Sequence, residues 1–221
     1  KLNYEQVRSS IARRLGIEYA GMVPASRDVD GVVEMMLDAT QNFNEQLTEE
    51  RLFGWHAALF HSGWSGMQKI NAGYWREGVM QVVSGPMGKE KIHYLAPAPQ
   101  RVKQMMDQFL AWFNAELKHD SVLKAAIAHF WFVIIHPFDD GNGRIARALS
   151  DMLLARSESS SQRFYSLSNQ VLIEKKGYYA ILQKVQHSTG DITEWLEWFL
   201  NCLHQALETT EKTMQNILQK A

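Results

Sequence analysis

The stretch VLKAAIAHFWFVIIHPFDDGNGRIAR, from Val122 to Arg147, decides the architecture expected for this chain. Its first part, Val122–Ile135, is apolar on nearly every side, which is typical of a helix in the middle of a bundle. His136-Pro137 should end that helix, because the residue before a proline resists the helical conformation. A short glycine-containing loop follows, and a second helix is expected from about Asn142 to about Arg156.

The remaining sequence is also mainly helical in its pattern, because apolar residues recur three and four positions apart. Further helices are predicted at about residues 2–15, 32–43, 49–60, 102–113, 172–187, 191–207 and 209–220. The exception lies at about residues 78–94, where Val79, Gln81 and Val83 alternate before a turn that contains Gly85. This pattern predicts a β-hairpin. The expected fold is therefore mainly α, a helical bundle with one hairpin.

Composition excludes several classes of protein. The chain has 221 residues, 46% of them hydrophobic, which suits one large folded core. Its net charge of -1 excludes a bulk basic field for nucleic acid, so no direct nucleic-acid binding is expected from this core. Cys202 is the single cysteine, so no disulfide can form within the chain. The longest apolar run, 125–135, is too short to cross a bilayer, and the expectation is a soluble cytoplasmic protein without a membrane segment.

The segment after His136-Pro137 carries the features of an anion site. Gly141 and Gly143 allow the backbone to curve tightly or to approach a ligand closely. A helix beginning at Asn142 leaves backbone N–H groups without partners, and with the helix dipole these attract anions. Arg144 and Arg147 lie three residues apart and so share a helix face. Two guanidinium groups beside such a helix start suit a polyphosphate.

Two further residue types beside this site suggest chemistry. Asp140 supplies a hard oxygen ligand, and Mg²⁺ commonly takes one carboxylate together with phosphate oxygens. The His136 imidazole titrates near neutral pH, so it could take a proton from a hydroxyl group. Neither the P-loop pattern nor the protein-kinase motifs occur in the sequence.

The segment His136–Arg147 resembles the Fic family signature HPFx[DE]GNGRxxR at every fixed position. The resemblance extends from about Gln6 to Leu207, because the predicted hairpin lies where Fic proteins carry a target-binding flap. Tyr178-Tyr179 and Thr193-Glu194-Trp195 also fall where the family shows similar elements. The resemblance implies a helical Fic fold and transfer of AMP from ATP to a Ser, Thr or Tyr hydroxyl of a target protein.

The resemblance also implies a role for each residue of the motif. His136 would be the base that activates the target hydroxyl, Asp140 would hold Mg²⁺, and Phe138 would anchor the loop in the core. The remaining expected roles concern ligands. Phosphates are assigned to Gly141, Asn142, Gly143, Arg144 and Arg147, adenosine to Tyr178 and more weakly Gln186, and the target segment to Val83, Ser84 and Gly85 of the flap.

Alternatives remain open at this point. The same fold could transfer another nucleotide or phosphate-containing group, or the chain could be a regulatory module that binds nucleotide without turnover. The expected partners are ATP and an unidentified target protein, which could be the chain itself, and a homodimer is left open. We expect a catalytic core at 1–207, with 208–221 as a helix that could link to a further domain.

In the Fic subgroup that this sequence most resembles, an inhibitory motif, [ST]xxx[AP]E[GN], lies N-terminal to the core. The nearest stretch here, Ser9–Gly16, has arginine where the glutamate is needed. The expectation is that the motif lies upstream of Lys1 and that this chain is a fragment that lacks its inhibitory motif. Among the other histidines, His129 is expected to be buried and hydrogen-bonded, and His56 and His61 are expected not to bind metal.

Overall fold

The computed structural model describes residues 2–84, 91–116, 120–186 and 190–219, with backbone alone for 82–84 and 91–93. Within these residues the chain forms nine helices and two small antiparallel hairpins. The helices are α1 Tyr4–Arg14, α2 Arg27–Gln41, α3 Glu49–Leu59, α4 Pro99–Asn114, α5 Ser121–Ile135, α6 Asn142–Glu158, α7 Leu167–Ile173, α8 Lys175–Val185 and α9 Thr193–Leu218. The strands are β1 Trp64–Ser65, β2 Gln68–Lys69, β3 Gln81–Ser84 and β4 Lys91–Leu95. The prediction of a mainly α fold with a hairpin near residues 78–94 is confirmed.

Helices α5 and α6 form the centre of the molecule. Helix α5 packs against α6, α4 and α9, and Phe132 and Ile135 are fully buried. Most of α6 is buried as well, from Ile145 through Ala155. Trp195 of α9 donates from its indole Nε1 to the Ala126 carbonyl at 2.8 Å. The expectation of a central apolar helix is confirmed, since α5 packs against three other helices and none of its residues after Ser121 is exposed.

The connection between α5 and α6 positions the candidate site. Helix α5 ends where His136 adopts a left-handed backbone conformation, with φ 50° and ψ 58°. Pro137 follows and cannot continue the helix. Gly141 is also left-handed, with φ 81°, and α6 begins at the next residue. Both predicted boundaries, the end of α5 at His136 and the start of α6 at Asn142, are confirmed.

The predicted hairpin consists of β3 and β4, paired with Gln81 opposite Leu95 and a bulge between Val82 and Val83. Val79 lies outside the strand and is exposed. A second hairpin, β1–β2, was not expected from the sequence. Its turn is tight because Gly66 takes a φ of 57°, which glycine adopts without strain.

Two helix predictions near the C-terminus are wrong. The expected single helix at 172–187 is two helices, α7 and α8, separated at Glu174. This break allows Val171 of α7 and Leu182 of α8 each to bury an apolar side chain. The expected helices at 191–207 and 209–220 are one continuous helix, α9, so the expected boundary at 207/208 falls inside it.

Local hydrogen bonds explain why α9 continues. Thr209 and Thr210 donate their hydroxyls to the carbonyls of Gln205 and Ala206, four residues earlier, at 2.8 and 3.0 Å. These bonds satisfy the polar side chains without leaving the helix. Among the described helices, none is both long enough and apolar enough to cross a membrane.

Candidate active site

His136 lies at the C-terminal end of α5 and is partly buried. Its ring Nδ1 is 3.2 Å from the Val133 carbonyl oxygen. A carbonyl oxygen can only accept, so Nδ1 carries the proton and Nε2 is left with a free lone pair in the neutral ring. Burial is the main cause that lowers the pKa of His136, and the nearby Arg76 charge lowers it further. The imidazole is therefore neutral at pH 7, with Nε2 able to accept a proton.

The loop after His136 is closed by Asn142. The Asn142 Oδ1 accepts from the Phe138 amide at 3.0 Å, and its Nδ2 donates to the Phe138 carbonyl at 2.8 Å. Asn142 is 2% exposed and Phe138 is fully buried. The Asn142 side chain is thus occupied within the loop, so only its backbone N–H is left for a ligand.

His56 on α3 supports the same loop from behind. Its ring stacks on Phe138, with centroids 4.1 Å apart and planes at 10°. Nδ1 accepts from the Gly73 amide at 3.0 Å, and Nε2 donates to the Asp140 carbonyl at 3.2 Å. Burial lowers the pKa of His56 to about 4, so the ring is neutral and makes one donor and one acceptor bond. Sequence reasoning missed this role. The sequence indicates this role only weakly, because the local pattern shows no more than a histidine on the apolar side of α3.

Asp140 is held by donors on both sides. Its Oδ1 accepts from the Gly141 amide at 2.6 Å, and its Oδ2 accepts from the Ser65 hydroxyl of β1 at 2.6 Å. The neighbouring Asp139 instead accepts from the Asn71 amide at 3.0 Å. The Asp140 side chain remains 47% exposed. The two aspartates therefore differ in their surroundings, and Asp140 is the one fixed at the start of α6.

The Asp140 carboxylate can bind Mg²⁺ only together with ligands from outside the described side chains. Across the described ranges, no group of three or more His, Cys, Asp or Glu side chains could hold a metal by itself. A carboxylate oxygen has two acceptor positions, and each Asp140 oxygen uses one on the bonds to Ser65 and Gly141. Asp140 can therefore give one oxygen ligand. This fits Mg²⁺, which often binds one carboxylate with substrate phosphates and waters.

Gly141, Asn142 and Gly143 form the N-terminal end of α6. The first intrahelical bonds run from the amides of Arg144 and Ile145 to the Gly141 carbonyl, at 2.9 and 3.0 Å. The amides of Asn142 and Gly143 precede these bonds and have no partner within the helix. A Cβ atom on Gly141 would lie 2.9 Å from Cε2 of Phe60. Glycine is required at 141 both for its positive φ and for space.

Arg144 and Arg147 lie beside this helix start. The Arg144 guanidinium stacks on Phe60, 4.8 Å from the ring centroid, and its Nη2 is 3.8 Å from Asp140 Oδ2. Arg147 reaches back over the first turn, since a Cβ atom on Gly143 would lie 3.5 Å from its Nη1. Burial lowers the pKa of Arg144, Asp140 raises it and the Arg147 charge lowers it. An anion between the two guanidinium groups would relieve their repulsion.

Tyr178 and Gln186, the two residues expected to bind adenosine, lie within α8 and at its C-terminal end. Tyr178 is 5% exposed, and its hydroxyl is 3.0 Å from Nε2 of His129. His129 is fully buried and is also 3.0 Å from the Ser150 hydroxyl, which confirms the expected hydrogen-bonded core histidine. Of the two neighbouring rings, Tyr179 is the exposed one, at 52%, and the adenosine role of Tyr178 stays a prediction. Gln186 lies at the C-cap of α8, and its role stays a prediction.

The flap expectations concern β3 and the turn after it. Val83 and Ser84 lie in β3, whereas Gly85 lies outside the described residues. The base of this hairpin reaches the end of α5, because the Tyr94 hydroxyl donates to the Ile134 carbonyl. The structure therefore places the hairpin next to the candidate base.

Comparisons with known proteins agree with this geometry. A sequence model described as the Fic/DOC family matches residues 46–154, which include the whole His136–Arg147 segment. Two curated relatives are both named "Protein adenylyltransferase Fic". The one from Culex quinquefasciatus is 35% identical over 121 residues, covering 52% of this chain and 22% of the relative. The one from Nematostella vectensis is 30% identical over 120 residues, covering 52% and 26%. The chain thus spans about a quarter of the length of these relatives.

Two solved structures share the fold over nearly the whole chain. A Fic family protein from Desulfovibrio desulfuricans superposes with a TM-score of 0.68 at 23% identity, covering 96% of this chain and 60% of that one. A Fic domain containing signaling protein from Bacteroides thetaiotaomicron gives 0.68 at 22% identity, covering 98% and 82%. With the motif, its neutral histidine and the helix start on the same α5–α6 connection, the sequence match leads to one conclusion: residues 46–154 of this chain form a Fic/DOC family domain.

Proposed function

We propose that this chain is a nucleotidyltransferase that moves AMP from ATP to a Ser, Thr or Tyr hydroxyl of a protein and releases pyrophosphate. The observation that carries the proposal is the neutral His136 ring, whose Nδ1–H is bonded to Val133 so that Nε2 can act as the base. This base lies at one end of the α5–α6 loop, and an anion site lies at the other. The names of the curated relatives support the same kind of activity.

The anion site would bind the triphosphate. The free amides of Asn142 and Gly143 suit the α- and β-phosphates, because backbone N–H groups at a helix start bind anions. Arg144 and Arg147 suit the β- and γ-phosphates. Arg144 has a weak protein counter-charge, 3.8 Å away, so its guanidinium can pair with a phosphate at little cost.

Asp140 would hold Mg²⁺ at this site, fixed in position by Ser65 and Gly141. The ion would neutralise part of the charge on the phosphates. The target segment would lie along the hairpin near Val83, Ser84 and Gly85 and add a strand to it. Strand addition relies on main-chain hydrogen bonds, so the sequence of the target is not specified by this contact.

The transfer itself requires three changes in bonding. His136 Nε2 takes the proton from the target hydroxyl, and the hydroxyl oxygen forms a bond to the α-phosphorus. The bond from the α-phosphorus to the bridging oxygen of the β-phosphate breaks, and pyrophosphate leaves with that electron pair. The positive charges of Arg144 and Arg147 stabilise the charge that develops on the leaving group.

The test is to incubate the chain with Mg²⁺ and ATP labelled with ³²P at the α- or the γ-position, alone and with a cell lysate. Relative to the same lysate without the chain, we expect added protein labelling from α-labelled ATP and no added labelling from γ-labelled ATP. His136→Ala should lower the rate about 100-fold or more, since a general base contributes 10²–10⁴-fold. His204→Ala is the matched control, because His204 is an exposed histidine on α9.

Each other result has a defined meaning. Labelling from the γ-position that requires the chain would replace AMP transfer by phosphoryl transfer. Labelling only from UTP, GTP or CTP would change the nucleotide. Calorimetric binding of ATP without labelling from any nucleotide would indicate a binding module without turnover and would contradict the proposal.

A further inference from the structure

Arg76 is a buried charged residue that lies outside the His136–Arg147 motif. It lies between β2 and β3 and is only 2% exposed. Arginine is rarely buried to this extent unless its donors are all satisfied, because removing a charge from water is costly. Its partners therefore indicate what it contributes to the structure.

The side chain of Arg76 donates to three backbone carbonyls from three different nitrogens. Nε donates to His136 at 2.7 Å, Nη1 to Gly78 at 2.8 Å and Nη2 to Pro97 at 2.6 Å. The backbone amide of Arg76 adds a fourth bond, to the Pro137 carbonyl at 2.8 Å. One residue thus binds both carbonyls of the His136-Pro137 turn.

The other two carbonyls belong to the two ends of the hairpin. Gly78 lies three residues before β3, and Pro97 lies two residues after β4. Next to them, the Ala96 amide donates to the Met80 carbonyl at 3.0 Å and closes the base of the hairpin. Arg76 therefore joins the turn that carries the proposed base to the base of the hairpin that would hold the target.

The geometry of the guanidinium makes this connection rigid. Its donors lie in one plane at fixed angles, so the three acceptor carbonyls must keep fixed relative positions. His136 also needs such support, because a positive φ is unfavourable for a residue other than glycine and persists only where the surroundings impose it. Lysine keeps the charge but has a single nitrogen and cannot bind three carbonyls in this way.

We propose that Arg76 is a positioning residue for the transfer reaction: through its bonds to His136, Pro137, Gly78 and Pro97 it fixes the His136 imidazole relative to the target-binding hairpin. This role rests on the proposed function. Arg76 acts on the transfer step and not on ATP binding, because the amides of Asn142 and Gly143 and the two motif arginines make no bond to it among the described contacts.

The test compares Arg76→Lys with Arg51→Lys in the full chain. Arg51 is a matched control, because all three of its side-chain nitrogens also bond, to groups that include the Asp38 and Asn42 carbonyls, far along the chain from the motif. Three quantities are measured: the ¹⁵N signals of the His136 ring, the calorimetric affinity for a non-hydrolysable ATP analogue, and the rate of labelling from α-labelled ATP.

For Arg76→Lys we expect the His136 ring to lose its single Nδ1–H tautomer and the labelling rate at saturating ATP to fall about 100-fold, the effect of a displacement of about 1 Å. The affinity for the ATP analogue should stay within about threefold, because it depends on other residues. Arg51→Lys should lower the melting temperature and leave the ring signals and the rate unchanged.

The proposal is overturned if Arg76→Lys lowers only the melting temperature, as a purely structural arginine would. It is also overturned if affinity for the ATP analogue falls as much as the rate. A wild-type chain without labelling activity would contradict the proposed function, whereas the ring signals and the affinity would still decide the positioning role.

A measurement on the wild-type chain covers the case in which Arg76→Lys does not fold. If Arg76 joins the turn to the hairpin base, its Nε–H, its amide and the Ala96 amide should exchange hydrogen with solvent in one cooperative opening. Exchange of the Ala96 amide through a separate, much more frequent opening would refute the connection.

Discussion

His136 combines two properties that individual contacts impose on it. Its left-handed backbone turns the chain out of α5, and the Nδ1–H bond to Val133 selects the tautomer with a free Nε2. Both depend on the residues around it, since an isolated histidine prefers neither. In the same way, the role of Asn142 follows from its contacts, because its amide is fully used on Phe138.

The two hydrogen bonds of the Asn142 side-chain amide lead to a prediction that has a matched control. Asn142→Ala removes both bonds to Phe138 and leaves a buried N–H and C=O unpaired, which should cost about 2–5 kcal/mol of unfolding free energy. Asn114 makes the same pair of bonds, to the Leu47 amide at 2.9 Å and the Leu47 carbonyl at 2.8 Å, away from the site. Urea denaturation should give similar losses for Asn142→Ala and Asn114→Ala.

ATP binding should separate these two variants. We expect Asn142→Ala to weaken calorimetric ATP binding at least about tenfold, because the loop that holds the helix start loses its closure. Asn114→Ala should bind ATP like the wild type. Equal ATP affinity in both variants would show that the Phe138–Asn142 closure does not shape the anion site.

Among the helices, α9 shows how one element can have two parts with different roles. Its first half buries Trp195, Phe199 and Cys202 in the core. Its last turns, through Ile217 and Leu218, are exposed over residues 211–219. The continuity of the helix is therefore supported by packing at one end and by local hydrogen bonds at the other.

Truncation of the chain within α9 measures how much the buried and the exposed part of this helix each contribute to stability. A chain that ends after Glu211 should melt within about 2 °C of the wild type, because exposed side chains contribute within about 0.5 kcal/mol. A chain that ends after Asn201 loses the buried Cys202 and Leu203 and should be destabilised by several kcal/mol. A large loss of melting temperature in the first truncation would show that residues 212–221 pack against something, with a second copy of the chain as the first candidate to check by sedimentation.

Across the molecule, the candidate site is built from segments that are far apart in sequence. His56 on α3, Ser65 on β1 and Arg76 before β3 all contact the loop between α5 and α6. The central α5–α6 pair provides the rigid base for these contacts. The arrangement keeps two buried histidines neutral, His56 behind the loop and His129 in the core.

These two histidines predict how global stability depends on pH. Burial lowers the pKa of His56 to about 4 and that of His129 to about 3 from an ordinary value near 6.5. The unfolded chain therefore takes up these protons first as the pH falls. The contribution of each histidine to stability is present above pH 6.5 and should decrease below it by about 1.4 kcal/mol per pH unit, until the folded pKa of that histidine is reached.

Urea denaturation at pH 7, 6 and 5 measures this slope. His56→Gln is the informative variant, because a glutamine amide can still accept from Gly73 and donate to Asp140 but does not titrate. It should change the slope between pH 6.5 and pH 5 by about 1.4 kcal/mol per pH unit, which is the contribution of His56. An equal slope for His56→Gln and the wild type would contradict the assignment of the His56 ring as buried and neutral.

Local pattern predicted the central features of the fold. The apolar run that forms α5, the stop at His136-Pro137 and the start of α6 at Asn142 depend on residues within one or two turns of each other. The predictions at 172–187 and 191–220 are wrong for the opposite reason. The break at Glu174 separates two helices that each pack against α9, and the apparent gap near Leu207 is bridged by threonine hydroxyls.

The sequence by itself determined that this chain is a helical bundle with a hairpin and that His136–Arg147 carries a histidine, a carboxylate, a glycine-rich helix start and two arginines. Only the tertiary structure decided which nitrogen of His136 is free, that Tyr178 faces the core, and that His56 and Arg76 hold the loop. The physical reason is distance along the chain. Helix signals lie within a few residues, whereas tautomer, burial and support depend on partners that folding brings together across as many as 84 positions.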